Sequence, residues 1–142
     1  MKIIMLLISL TILDKGCVGN QVDQDTISVE YTAHSRGVYN HIVINNKTIS
    51  VVDKRNTKPT VKPCNQSDWQ NIIDLLKTVD VENISKLKAP TEARFYDGAA
   101  IANLKINYDG KTYETTSFDH GHPPKEIESL VKEILSIAKN IE

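Results

Sequence analysis

The sequence predicts an α+β domain: a two-layer sandwich in which an antiparallel five-stranded sheet carries two helices on one face, in the order βββ-α-ββ-α. Three observations lead there. Ile27, Val29, Tyr31 and Ala33 alternate with Ser28, Glu30, Thr32 and His34, and this period of two marks a half-buried strand. Trp69, Ile72, Ile73, Leu76 and Val79 repeat instead at helical spacing, as do Ile127, Leu130, Val131, Ile134, Leu135, Ala138 and Ile141. Asp109-Gly110 stands between two strand-like runs and is a strong two-residue hairpin signal. Each strand has one apolar face to cover, and two amphipathic helices suffice to cover it.

In chain order, the 142 residues divide into a leader over 1–17, a polar tether over 18–25 and a single domain over 26–142. Lys2 gives the leader a positive start. The apolar run from Ile3 to Leu13 is about half the ~20 residues needed to cross a bilayer, and it suits the central segment of an export signal. Gly16-Cys17 then reads as a lipidation site, with Cys17 acylated and the protein attached to the membrane through that anchor. Asp14 stands where such leaders normally carry an aliphatic residue, so a simple secretory peptide and an uncleaved apolar start remain alternatives. If Cys17 is retained without a lipid, it could pair with Cys64 in an oxidising compartment.

The first strand begins at Thr26, and Ser35-Arg36-Gly37 turns the chain. A second strand over Val38 to Ile44 leads to Asn45-Asn46, a pair suited to a tight hairpin with positive φ. The third strand covers Thr48 to Asp53. Lys54 to Lys62 is locally basic, contains Pro59, and reads as a solvated loop. Ser67 and Gln70 have the spacing of a capping box for the first helix. Ile84 and Leu87 can anchor a short helical turn before Pro90. Arg94-Phe95-Tyr96-Asp97-Gly98 is an aromatic turn. Ala99 to Tyr108 and Lys111 to Phe118 form the last hairpin, and Pro123-Pro124 leads into the final helix. By parity Glu30, His34, His41, Asn103, Lys105, Asn107, Glu114 and Thr116 share the wet face of the sheet.

Composition narrows the function. The net charge is −1 with 25% charged residues of mixed sign, so no basic surface of the kind that holds a phosphate backbone is expected, and nucleic acid is not a partner. No zinc pattern, CxxC pair or cofactor motif is present, and no cofactor is expected. Ser35-Arg36-Gly37, Arg94-Phe95-Tyr96-Asp97-Gly98-Ala99-Ala100 and Phe118-Asp119-His120-Gly121-His122-Pro123-Pro124 resemble segments of small exported, lipoprotein-like proteins of Bacteroidota-type bacteria. The resemblance implies export, a bacterial surface and a single domain. It implies no activity and no catalytic residue.

The sharpest chemical cluster is Asp119, His120 and His122, a carboxylate and two imidazoles that could ligate a metal with help from His34, His41 or Asp97. The plain alternative is a strand-to-helix junction in which Gly121 takes an unusual backbone angle. Arg36 could complete an anion pocket at the start of the last helix, although Pro123 and Pro124 remove two donors there. Cys64, just before a helix, is the one credible nucleophile. The reading that gathers these signals is a non-enzymatic binding or accessory module of the cell envelope. Its ligand is unidentified, an envelope protein or polysaccharide being the candidates, and two surfaces could hold it: the polar sheet face with its His, Glu and Lys residues, or a rim of Arg36, Tyr96, Asp97, Asp119, His120 and His122. An inhibitor or immunity-type protein for an exported hydrolase is the second reading, and a metal-dependent enzyme the third.

Overall fold

The structure is a computed structural model describing residues 22–141; the expected leader, Cys17 and the first half of the tether lie outside the described residues. β1 (Ser28–His34), β2 (Tyr39–Asn45) and β3 (Thr48–Val52) form the expected meander. β4 (Thr60–Pro63), α1 (Gln66–Leu76), β5 (Ile101–Tyr108), β6 (Lys111–Glu114), β7 (Phe118–Asp119) and α2 (Glu128–Lys139) follow. Short 3-10 turns cover Val81–Lys86, Ala93–Tyr96 and Lys125–Ile127.

The sheet is open and antiparallel, in the order β4-β3-β2-β1-β5-β6, with β7 also paired to β5. The expected count of five strands is therefore corrected, at two places. Thr60–Pro63, read as solvated loop, pairs with Thr48–Val51 as an edge strand. All four of its residues are exposed, so it has no apolar face and leaves no period-two signal. Its Lys62 and Pro63 suit an unpaired edge. The second place is the last hairpin. Lys105 pairs with Glu114, but Ala102 pairs with Phe118, so three steps along β5 (105 to 102) are matched by four (114 to 118). The extra residue is a β-bulge, and it splits one expected strand into β6 and β7.

Thr115 holds the bulge. Its backbone N–H donates to the Leu104 carbonyl at 2.9 Å, while its Oγ1 accepts from the Leu104 N–H at 3.1 Å. A side-chain oxygen thus takes the place of a ladder carbonyl in a buried setting. Thr115→Val keeps the shape and orphans the Leu104 donor. It should cost about 1–3 kcal/mol in urea denaturation, whereas Thr115→Ser should be nearly silent.

Two other local expectations change. Asn65, not Ser67, caps α1, its Oδ1 accepting from the Asp68 N–H at 2.7 Å, because the helix begins one residue before Ser67. The β2–β3 turn is closed by the Asn45 side chain, which accepts from the N–H groups of Lys47 and Thr48, both at 2.8 Å. This side-chain turn replaces the positive-φ hairpin expected of Asn45-Asn46. Asp109 (φ 51°) and Gly110 (φ 70°) do form the expected left-handed pair.

Val29, Tyr31 and Ala33 of β1, Ile42 and Ile44 of β2, and Leu104 and Ile106 of β5 join one buried cluster. Trp69, Ile72 and Leu76 of α1 and Leu130, Ile134 and Ile137 of α2 belong to the same cluster. The helices pack on one another, and α2 reaches β2 and β3. None of the residues assigned to the wet face is buried. Among the described residues no helix is long and apolar enough to cross a membrane.

Candidate functional site

Strand register decides which loops can cooperate. His34, the last residue of β1, lies opposite Tyr39 and Ile101; Ile101 lies opposite Asp119; and His41 lies opposite Val52. The turn at Ser35–Val38, the loop after β3, the segment before β5 and the segment after β7 therefore share one end of the sheet. The chain enters at the other end, through Val22 to Ile27, where a hollow of about 540 Å³ is lined by Val22, Ile27, Ile73, Leu76, Lys77 and Tyr108.

Asp119 organises this shared end. The bulge turns Phe118 into the core, and Asp119 beside it is buried under the segment from Thr91 to Tyr96. Its Oδ2 accepts from the Thr91 hydroxyl at 2.6 Å and the Ala93 N–H at 2.7 Å. Its Oδ1 accepts from the Arg94 N–H and from Arg94 Nη1, both at 3.0 Å. Arg94, its side chain nearly removed from solvent, also donates Nε to Ser117 Oγ at 3.2 Å and Nη1 to the Thr91 carbonyl at 2.7 Å. Burial alone would push the Asp119 carboxyl up. The bonds from Thr91, Arg94 and Ala93 outweigh it and hold the group well below the usual carboxylate range.

This geometry does not bring the weak metal candidates Asp119, His120 and His122 together. Asp119 offers no oxygen to a ligand, because it is buried and both its oxygens are already bonded twice within the fold. His120 points elsewhere: its Nδ1 shares a 2.7 Å hydrogen bond with the hydroxyl of Tyr31, whose ring is buried beside Phe118. His122 is exposed, and its N–H donates to the Asp119 carbonyl at 2.8 Å. Among the described residues no group of three His, Cys, Asp or Glu side chains is placed to hold a metal ion. The strand-to-helix junction is what the structure shows, with Gly121 at φ 88°.

Burial pushes the His120 imidazole below its ordinary value. A histidine whose folded value lies below its unfolded value of about 6.5 supports the fold above that pH and loses this support as the pH falls. His120→Asn should flatten the fall in stability just below about pH 6.5, read from urea midpoints across pH.

Arg94 continues into the aromatic turn. The 3-10 turn Ala93–Tyr96 ends on Asp97 in the left-handed region (φ 60°), and the Gly98 N–H closes it onto the Ala93 carbonyl at 2.8 Å. A Cβ on Gly98 would meet the Tyr96 ring at 3.0 Å, so the glycine lets that ring lie back over its own turn. Phe95 is 70% exposed and Tyr96 75%. The Arg94 guanidinium sits 4.2 Å over the Phe95 ring, joining the buried network to the exposed aromatics. Glu92 and Asp97 flank the rings, and neither forms an ion pair among the described residues.

Arg36, also expected in the rim, is exposed on the turn between β1 and β2, beside Arg55 of the loop after β3. Cys64 is half-buried. Burial and then the charge of Asp68 push its thiol up, the opposite of an activated nucleophile. On the other face of the sheet, Glu30 accepts from His41 at 2.8 Å and lies 3.5 Å from Lys105.

No protein-family model, curated protein or solved structure matches the chain.

Proposed function

We propose that the chain is an exported, lipid-anchored and non-enzymatic binding module of a bacterial envelope, which grips a protein partner through Phe95 and Tyr96. One observation carries this reading. The two most exposed large apolar side chains among the described residues are adjacent aromatics, on a turn fixed from beneath by the saturated Asp119 carboxylate. Exposed aromatics cost solvation, and a rigid turn presents them with little entropy to lose on binding. Aromatic residues are enriched at the centres of protein interfaces. The acidic flanks, Glu92 and Asp97, fit a partner whose apolar pocket is rimmed by basic residues.

Placement supports the same reading. β1 is seven residues long, so about 20 Å separates the end where the tether enters from the end that carries the aromatic turn. An anchor at Cys17 would leave that turn facing away from the membrane. The proposal also takes the domain as a two-layer sandwich, supported by the helices sharing the strand cluster and by the polar row on the opposite face.

A photo-crosslinking amino acid at position 96, in the native host, should yield one discrete protein adduct that disappears in a Phe95→Ser background. The same group at exposed Lys88 should not yield it. An identical pattern from both positions, or no adduct from position 96, would contradict the reading. Loss of the captured protein's catalytic activity on binding would assign the inhibitor role instead of a passive one.

A further inference from the structure

Two hollows at the shared end flank a single residue pair. Arg55 sits 5.9 Å over the Tyr39 ring and donates Nη2 to the Ser35 carbonyl at 2.5 Å. On one side lies a hollow of about 180 Å³ between the β1–β2 turn and the loop after β3, where Arg36, Lys54 and Arg55 stand with one acid, Asp53. On the other lies an open hollow of about 560 Å³ lined by His34, Tyr39, Arg55 and Asn56.

The loop that carries these cations is ordered. The Thr57 hydroxyl donates to the Lys54 carbonyl at 2.7 Å, and Asn56 takes the left-handed region at φ 59°. Ser35 fixes the facing turn by accepting from the Val38 N–H at 3.1 Å. Arg36, Lys54, Arg55 and Lys58 make no ion pair among the described residues. Three cations with one acid among them and no ion pair, on two turns tied together by Arg55, form an anion site whose backbone is fixed.

We infer that this end of the sheet binds an acidic sugar, a unit of an anionic polysaccharide. The acid group, carboxylate or phosphate, occupies the small hollow against Arg36, Lys54 and Arg55. The sugar ring occupies the wider one, where His34, Asn56 and the Tyr39 hydroxyl can bond its hydroxyls. The small hollow is lined by three cations and the wider one by side chains that can bond hydroxyls, so charge and polarity sort the two halves of the ligand. The basic segment 54–62 thereby has a role besides solvation, and the inference stands whether or not the aromatic turn binds a protein.

The test uses the native chain with an oligomer of galacturonic acid, galactose 6-phosphate, neutral galactose oligomer and inorganic phosphate. Binding is followed by titration calorimetry and amide shifts. At least one acidic sugar should bind at least tenfold more tightly than the neutral oligomer and than inorganic phosphate, moving the amides of Arg36, Gly37, Lys54, Arg55 and Asn56. Whichever acidic sugar binds identifies the acid group. Arg36→Ser with Lys54→Ser should weaken binding at least tenfold without changing the thermal midpoint, since neither side chain makes a hydrogen bond among the described residues. Equal binding of the neutral oligomer, equal binding of inorganic phosphate, no binding of either acidic sugar, or an unaffected double variant would overturn the inference.

Discussion

Replacing Asp119 with alanine is expected to destabilise the fold by about 3–5 kcal/mol, because it leaves a buried guanidinium without its counter-charge. The Arg94 side chain is only 7% exposed, so water cannot take over the lost bonds without the segment opening. Against a total stability of roughly 5–15 kcal/mol this is a severe loss, and it corresponds to a fall in thermal midpoint of roughly 10–20 °C. Removing Arg94 as well should recover only part of it. The carboxylate also holds the Ala93 and Arg94 N–H groups and the Thr91 hydroxyl, and these stay orphaned in the double variant. The pH dependence has a definite sign. The folded carboxyl titrates below its unfolded value of about 3.9, so its contribution is complete above that value and is lost as the pH falls below it. Asp119→Asn should therefore lose less stability than the parent between about pH 5 and pH 2, and it should leave the His120 effect nearer neutrality in place.

The second large effect is on binding. Phe95→Ser with Tyr96→Ser should reduce affinity for the crosslinked partner at least ~30-fold, the size of a central hot spot. The fold should lose less than about 1 kcal/mol, because both rings are exposed and give up only the Arg94 contact to Phe95 and the packing of Tyr96 over its own turn. Surface plasmon resonance against the purified partner, beside a urea melt of the variant, separates the two. Affinity and stability falling together would mean that the rings belong to the fold and not to an interface. The charges at Glu92 and Asp97 should act mainly on the association rate and its salt dependence.

Much of the fold is legible in the sequence, since burial imposes its own period. Val29, Tyr31, Ile42, Ile44, Leu104 and Ile106 are buried as their alternation predicts, and Trp69 and Leu130 mark the buried faces of the helices. What escapes is what burial does not pattern. Thr60–Pro63 is a strand held by backbone bonds alone, with every side chain exposed. The bulge at Thr115 depends on a hydroxyl standing in for a carbonyl, and a threonine in a strand is otherwise unremarked. The rim is legible in part. Tyr96 and Asp97 are exposed at the shared end, as is Arg36, whereas Asp119 faces inward and His120 and His122 diverge. Arg94 stands 25 positions from Asp119, and no local spacing signals such a pair. Nor does anything local foretell that Arg55 reaches back to Ser35.

Native-state hydrogen exchange at the Ala93 and Arg94 amides tests most directly whether a buried carboxylate holds the aromatic turn rigid. Both amides should exchange about as slowly as core strand amides such as Leu104, although they lie in a short surface turn, and Asp119→Asn should speed them selectively. Exchange near the rate of an unstructured peptide in the unmodified protein would contradict the account, because Phe95 and Tyr96 would then ride on a mobile loop.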